Sequence, residues 1–306
     1  MSKKSGVIFL VPLVLISAGL LAGLGFFAGF RYARLRISGD SVSKQVQKAV
    51  FSGEATEEAY VERDSPLDHR LENEGLVIFH GPRDKNKIAL TFDAEMTDGM
   101  KKALVSGKVK SSYDGRIIDV LNKTGTKATL FLTGQWIELY PDVTRQLAKN
   151  PLFEFGSHSY NDSSFHGYCY GLKQIQDSLD IEQVGSAEKP LREYVGIDNR
   201  LFRFPGGCYS EDDVKLVNKA NDIVVHWDVK GADGFNDNVS QVIRNVIDNV
   251  QNGSIIILHM NGAPTSPKTA EALPEIITQL KRKGFEFVKV SELLGIPPAP
   301  KDPSSS

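Results

Sequence analysis

The sequence predicts an α/β protein, a parallel sheet covered by helices, with one long apolar segment ahead of it. Two patterns carry that expectation. Between residues 77 and 296, short apolar runs alternate with amphipathic stretches, which is how strand–helix–strand units read. The apolar runs are nearly continuous rather than alternating, as strands covered on both faces must be. A third observation locates the chemistry. Acids, imidazoles and an arginine follow the ends of these runs, where parallel α/β folds build their sites. On pattern alone, an open doubly wound sheet and a barrel both fit.

The first segment is the uncharged run Gly6–Phe30, bounded by Lys3 and Lys4 before it and by Arg31, Arg34 and Arg36 after it. As a helix rising about 1.5 Å per residue it is long enough to cross a hydrocarbon core of about 30 Å. It lacks a clean cleavage site, so residues 1–36 read as an uncleaved single-pass membrane anchor. A cleaved signal peptide and a buried core helix are the rival readings. Cations flank both ends, so charge alone does not orient the segment. Residues 37–76 are polar and weakly periodic and read as a stalk or lead-in. Residues 77–296 form the body. Residues 297–306, rich in Pro and Ser, read as a disordered tail.

Within the body the expected strands are KIALTF, KATLFL, LFEFGS, IVVHW, SIIILH and FEFVKV. The expected helices include GRIIDVLNKTG, YGLKQIQDSLDIEQVG, SEDDVKLVNKA, VSQVIRNVIDNV and TAEALPEIITQLKRKG, several of them closed by Gly or Asn. The formal net charge of -2 implies no basic face, which argues against nucleic acid as a partner. The two cysteines, Cys169 and Cys208, are too few for a disulfide scaffold or a Cys-rich zinc site but allow one bridge.

After KIALTF come Asp93, Glu95 and Asp98. After LFEFGS come His158 and Asp162. Arg203 lies in FRFPGG, Asp228 and Asp233 follow IVVHW, and His259 ends SIIILH. Singly, each has an ordinary structural reading, such as a helix N-cap, a core histidine or an ion pair. Together, at successive strand ends, they suit metal-assisted hydrolysis. Carboxylate and imidazole ligate zinc or a related cation, a further carboxylate takes a proton from water, and a second imidazole gives one to the leaving group.

These residues fall in segments that resemble the motifs of the polysaccharide deacetylase family, also called the NodB homology domain or carbohydrate esterase family 4. TFDAEMTDG resembles the family's TFDDG, GSHSYND its HSxxH, and FRFPGG its RxPxG. WDVKGADG resembles its fourth motif, and IIILHMNG fits its LxH. The resemblance covers roughly residues 80–295. It implies a distorted (β/α) barrel and hydrolysis of N-acetyl amide bonds on a cell-envelope or extracellular polysaccharide of the N-acetylglucosamine type. It also implies residue roles. Asp93 would be the general base and Arg203 would hold it ionised. His259 would be the general acid tuned by Asp233, His158 a metal ligand, and the Gly206 N–H an oxyanion donor. An extracytoplasmic catalytic domain follows from that function.

The sequence departs from the family at two ligand positions. The second Asp of TFDDG is Ala94, and the second His of HSxxH is Asp162. Glu95, His158 and Asp162 are the expected replacement set, with Asp98 and His166 as further candidates. So oxygen-rich a set admits zinc or a harder cation such as cobalt, nickel or manganese. The same losses leave an alternative reading, a catalytically impaired deacetylase-like module that binds glycan. Because Cys169 and Cys208 follow two motifs that would share one barrel mouth, a disulfide between them is expected. Trp136, Tyr160, Phe165, Tyr168 and Tyr170 are the aromatic candidates near that mouth.

Overall fold

The computed structural model describes residues 77–175 and 180–301. The expected anchor and lead-in lie outside the described residues, and no helix among the described residues is long and apolar enough to cross a membrane. The body is one curled parallel sheet. Its strands are β1 (Val77–Ile78), β2 (Lys87–Ala94), β3 (Ala128–Leu132), β4 (Phe153–Ser157), β5 (Leu201–Phe202), β6 (Ile223–Val225), β7 (Val229–Lys230), β8 (Ile255–His259) and β9 (Glu286–Val288). They run in the order β1-β6-β5-β4-β3-β2-β8-β7, every pair parallel. β9 pairs with the first residues of β2, from Lys87 opposite Glu286, and β3 pairs with its last, from Thr91 opposite Thr129. These two strands therefore lie end to end along one side of β2, with β8 on the other.

The sheet curls into an incomplete barrel. Just past β1, His80 bridges Ser254 and the Gly81 N–H donates to the Gly253 carbonyl at 2.8 Å. That draws the β1 edge back to the foot of β8. The expected strand IVVHW stops at Val225, because the chain turns there. Asp228 accepts from Arg83, Ser254 Oγ and the Ile255 N–H, at 2.8, 3.0 and 2.8 Å. Asp228 is thus a structural ion-pair partner at the start of β8, and the expectation of a second acid at the mouth after this strand holds for Asp233 alone.

Helices cover the outside: α1 (Asp98–Val105), α2 (Gly115–Thr124), α3 (Gly134–Leu139), α4 (Pro141–Ala148), α5 (Asp180–Pro190), α6 (Glu211–Lys219), α7 (Val239–Ile247) and α8 (Thr269–Arg282), while α9 (Val290–Leu294) packs Val290, Leu293 and Leu294 with the interior residues Ala89 and Val225. Several of their starts are capped by side chains that satisfy the free N–H groups of the first turn. Asp114 accepts from Arg116 N, Thr133 from Trp136 N, Asn238 from Gln241 N, and Ser210 with Asp213 forms a capping box. α8 buries Leu273, Ile276, Ile277 and Leu280 against Leu90 and Phe92 of β2 and Ile256 and Leu258 of β8. Each such side chain contributes roughly 1.5–3 kcal/mol.

α1 was not among the expected helices, and the stretch expected to be helical from residue 170 is irregular through Ile175, with isolated bridges at Leu172 and Gln174. The expected tail also differs over its first part. The Asp198 N–H donates to the Pro300 carbonyl and Lys301 bridges Ile197, so residues up to 301 lie along the body.

Asp222, at the foot of β6, is buried beside Glu188 of α5, with Asn199 Nδ2 donating to it at 3.0 Å. Burial first, and the Glu188 carboxyl next, push Asp222 up to about 8, while Glu188 is also raised, mainly by burial. The folded chain therefore holds a proton on Asp222 that the unfolded chain has released above about pH 4. Stability from this group is fully present below the unfolded value and is lost as pH rises toward 8. Asp222→Asn should flatten the fall in urea midpoint between pH 5 and 8 (roughly the window of the shift); an unchanged slope would show that the pair is not protonated.

Candidate active site

The pleat of β2 decides which of its residues reach the barrel interior. Ile88, Leu90, Phe92 and Ala94 pack outward into the helix-covered core, whereas Ala89 belongs to the interior cluster with Phe131, Leu201 and Val225. Thr91 and Asp93 share the inward face. Arg203, just past β5, reaches across to meet them. Its Nη1 donates to Asp93 Oδ1 at 2.7 Å and to Thr91 Oγ1 at 2.8 Å, and its Nε and Nη2 donate to the Val225 and His226 carbonyls at 3.2 Å each. The guanidinium lies 4.0 Å over the Phe131 ring. Arg203 is wholly buried and Asp93 is 2% exposed. A charged pair this deep persists only because each partner is neutralised and hydrogen-bonded.

The Arg203 backbone fixes the next residue. Its carbonyl lies 2.9 Å from His158 Nδ1. A carbonyl only accepts, so Nδ1 carries the proton and the Nε2 lone pair faces the mouth. Burial pushes the His158 imidazole below its usual range, against the pull of Asp93 and Glu95, so the ring is neutral. Nε2 lies 3.6 Å from Asp93 Oδ2 and 3.6 Å from Asp162 Oδ1. The loop carrying Asp162 has left-handed backbone at two non-glycine residues, Ser159 (φ 62°) and Asp162 (φ 58°). Such residues cost energy and concentrate where a side chain must be aimed. Burial, and then Glu95 and Asp93, hold Asp162 well above the usual carboxylate range.

His259, the last residue of β8, stands opposite Asp93 in the β2–β8 register. Asp233, in the loop after β7, lies 2.9 Å from His259 Nδ1 through Oδ1, and its Oδ2 accepts from the His259 N–H and from Thr269 Oγ1. Burial opposes charge on the imidazole, but Asp233 and then Glu95 outweigh it and raise His259 well above the ordinary histidine range. Burial also works to raise Asp233, yet His259 and Thr269 hold it below the usual value. Glu95 Oε1 lies 3.4 Å from His259 Nε2.

Glu95, His158 and Asp162 converge: one ligand atom from each lies within 4.8 Å of the other two. His158 Nε2 and Asp162 Oδ1 are buried without a hydrogen-bond partner. Asp98 and His166 stand apart from this group. Asp98 opens α1 and accepts from Gln135 Nε2 at 2.7 Å, and His166 is exposed. Gly206 sits in a short turn after Arg203 at φ 61°, and a Cβ there would meet Cys169 Sγ, so only glycine fits. Cys169 and Cys208 form a disulfide, Cα atoms 6.0 Å apart, that joins the loop after β4 to the loop after β5. Of the aromatic candidates, Trp136 and Phe165 are core residues, Tyr160 donates to Glu138, and Tyr168 and Tyr170 are exposed beside Cys169. Phe235, 80% exposed two residues after Asp233, went unnoticed in the sequence, as did Thr91, Thr269 and Asn261.

A curled parallel barrel with acids and imidazoles gathered at its mouth is an arrangement suited to hydrolysis. Residues 80–223 match the family described as polysaccharide deacetylase, and the chain carries a domain of that family, with the NodB fold. Relatives that it resembles are named as peptidoglycan N-acetylglucosamine and N-acetylmuramic acid deacetylases. It is similar to a peptidoglycan-N-acetylglucosamine deacetylase of Bacillus cereus, 28% identical over 230 residues, which cover 74% of this chain and 97% of the relative. A crystal structure of a peptidoglycan N-acetylglucosamine deacetylase superposes with a TM-score of 0.62 at 25% identity, covering 72% of this chain and 94% of the other. A family 4 pseudoenzyme from Bacillus anthracis shares the fold, with a TM-score of 0.58 at 23% identity over 72% of this chain and 69% of its own.

Removing one member of the Arg203–Asp93 pair strands the other's charge. Arg203→Met should cost roughly 3–5 kcal/mol in urea unfolding. The double variant with Asp93→Asn should be more stable than Arg203→Met alone. Additive losses would mean that the two side chains do not depend on each other.

Proposed function

We propose that the protein is a divalent-metal-dependent hydrolase that removes N-acetyl groups from N-acetylglucosamine-type residues of a cell-envelope polysaccharide. It would act outside the cytoplasm, from an N-terminal membrane anchor. The observation that carries the catalytic part is the pair of buried, partnerless ligand atoms, His158 Nε2 and Asp162 Oδ1, converging with Glu95 beside an intact acid–base set. Peptidoglycan fits as the glycan because relatives act on its N-acetylglucosamine or N-acetylmuramic acid residues. The anchor rests on the apolar run Gly6–Phe30.

The donor set suits a cation. Among the described residues, Arg203 pairs with Asp93, and His259 with Asp233 and Glu95, while burial first, then Glu95 and Asp93, raise the proton affinity of Asp162. Glu95, His158 and Asp162 would hold a divalent ion, which supplies Lewis acidity toward water and the acyl oxygen. The chain's own residues handle the protons. Asp93, paired with the Arg203 guanidinium, takes a proton from the water whose oxygen bonds to the acyl carbon. The N–H of Gly206 donates to the oxyanion that develops there. His259, protonated and oriented by Asp233, gives its proton to the departing nitrogen as the C–N bond breaks, leaving acetate and a free amine.

The test is acetate release from N-acetylglucosamine oligomers and from peptidoglycan by chelator-treated protein resupplied with zinc, cobalt, nickel or manganese. Activity should return with at least one cation and fall by about 10²–10⁴-fold in His259→Ala. Glycan binding with no acetate under any cation would favour the binding module instead.

A further inference from the structure

The β2–β8 ladder pairs Asp93 with His259, and its last backbone bond runs from the Met260 N–H to the Asp93 carbonyl at 3.0 Å. Beyond it a side chain continues the pairing. Asn261 Oδ1 accepts from the Glu95 N–H at 3.1 Å, and Asn261 Nδ2 donates to the Glu95 carbonyl at 2.6 Å and to the Ser112 carbonyl at 3.3 Å. Asn261 is 2% exposed. The partners fix the amide's orientation, since the flipped amide would set donor against donor and acceptor against acceptor. One primary amide thus replaces a whole backbone residue as the ladder partner of Glu95.

We infer that Asn261 is a positioning residue for Glu95, holding its backbone strand-like past the end of β2 so that the carboxylate stays on the face of Asp93. The inference rests on the proposed role of Glu95 as a metal ligand, and it explains how that role is met. In a strand, residues i and i+2 share a face, but only while the backbone stays extended. β2 itself ends at Ala94. A free Glu95 backbone would rotate, and its carboxylate, now 3.4 Å from His259 and grouped with His158 and Asp162, would swing away. Few side chains could substitute. Alanine would leave a buried N–H and carbonyl unpaired, and aspartate keeps the acceptor but loses both donors. The third bond, to Ser112, ties the same clamp to the segment ahead of α2.

The experiment is calorimetric titration of zinc and cobalt(II) into the chelator-treated full chain and its Asn261→Ala, Glu95→Ala and doubly substituted variants. Glu95→Ala and Asn261→Ala should each weaken cation affinity by about 10–100-fold, with thermal unfolding still cooperative. The double variant should bind no more weakly than Glu95→Ala, because the clamp has nothing left to hold. Wild-type affinity in Asn261→Ala beside a weakened Glu95→Ala would overturn the inference and leave the proposed ligand set standing. An undisturbed Glu95→Ala would remove the ligand reading itself. A further additive loss in the double variant would mean general destabilisation, also against the inference. Should Asn261→Ala not fold, Asn261→Asp, which keeps the contact to the Glu95 N–H, decides by the same comparison.

Discussion

The interior of this barrel is organised by one buried guanidinium. Arg203 bonds to Asp93 and Thr91 of β2 and to carbonyls at the end of β6 and just past it, and it covers Phe131 of β3. Its own carbonyl orients His158. A single residue therefore aligns Asp93, fixes the His158 tautomer and braces strands from both halves of the curled sheet. Lysine would not serve: it lacks the planar fork that meets four acceptors in fixed directions. Burying the charge costs energy that Asp93 alone repays only in this geometry, so the fold and the Arg203–Asp93 pair are one arrangement.

From that pair the electrostatics divide the mouth into two regions. Around His259 and Asp233, opposite charges sit in contact, and the imidazole is driven toward its protonated form. Around His158 and Asp162 the balance is reversed. The imidazole is neutral, the carboxyl binds its proton abnormally tightly, and two polar atoms have no partner. Glu95 lies between them, in contact with His259 and grouped with His158 and Asp162.

How much of this was legible in the sequence depended on how local the cause was. β2, β3, β4 and β8 announce themselves as continuous apolar runs because both their faces are covered. β1 and β7 are two residues each and carry no such signal. α1, DGMKKALV, contains no buried residue, so no apolar stripe betrays it. Asp228 looked like Asp233 because both follow the same apolar run, and only the turn at Val225 separates a foot residue from a mouth residue. Asp93, Arg203, Asp233 and His259 were readable by motif. Asn261 and Thr269 were not, since each acts through a contact with a residue far away in the chain.

The substitution at Ala94 gains a physical reading from the pleat. Ala94 packs into the outer core with Phe92 and Ile88, so at this point of the strand a carboxylate would face helices rather than the mouth. The inward row is Ala89, Thr91, Asp93 and then Glu95. Extending the extended backbone by one residue puts an acid on the mouth face without moving the strand. That extension needs a partner for Glu95 after the β8 backbone has turned away, and the amide of Asn261 is that partner. Glu95 and the buried Asn261, two residues after His259, thus act together across two strand ends that face each other in the sheet.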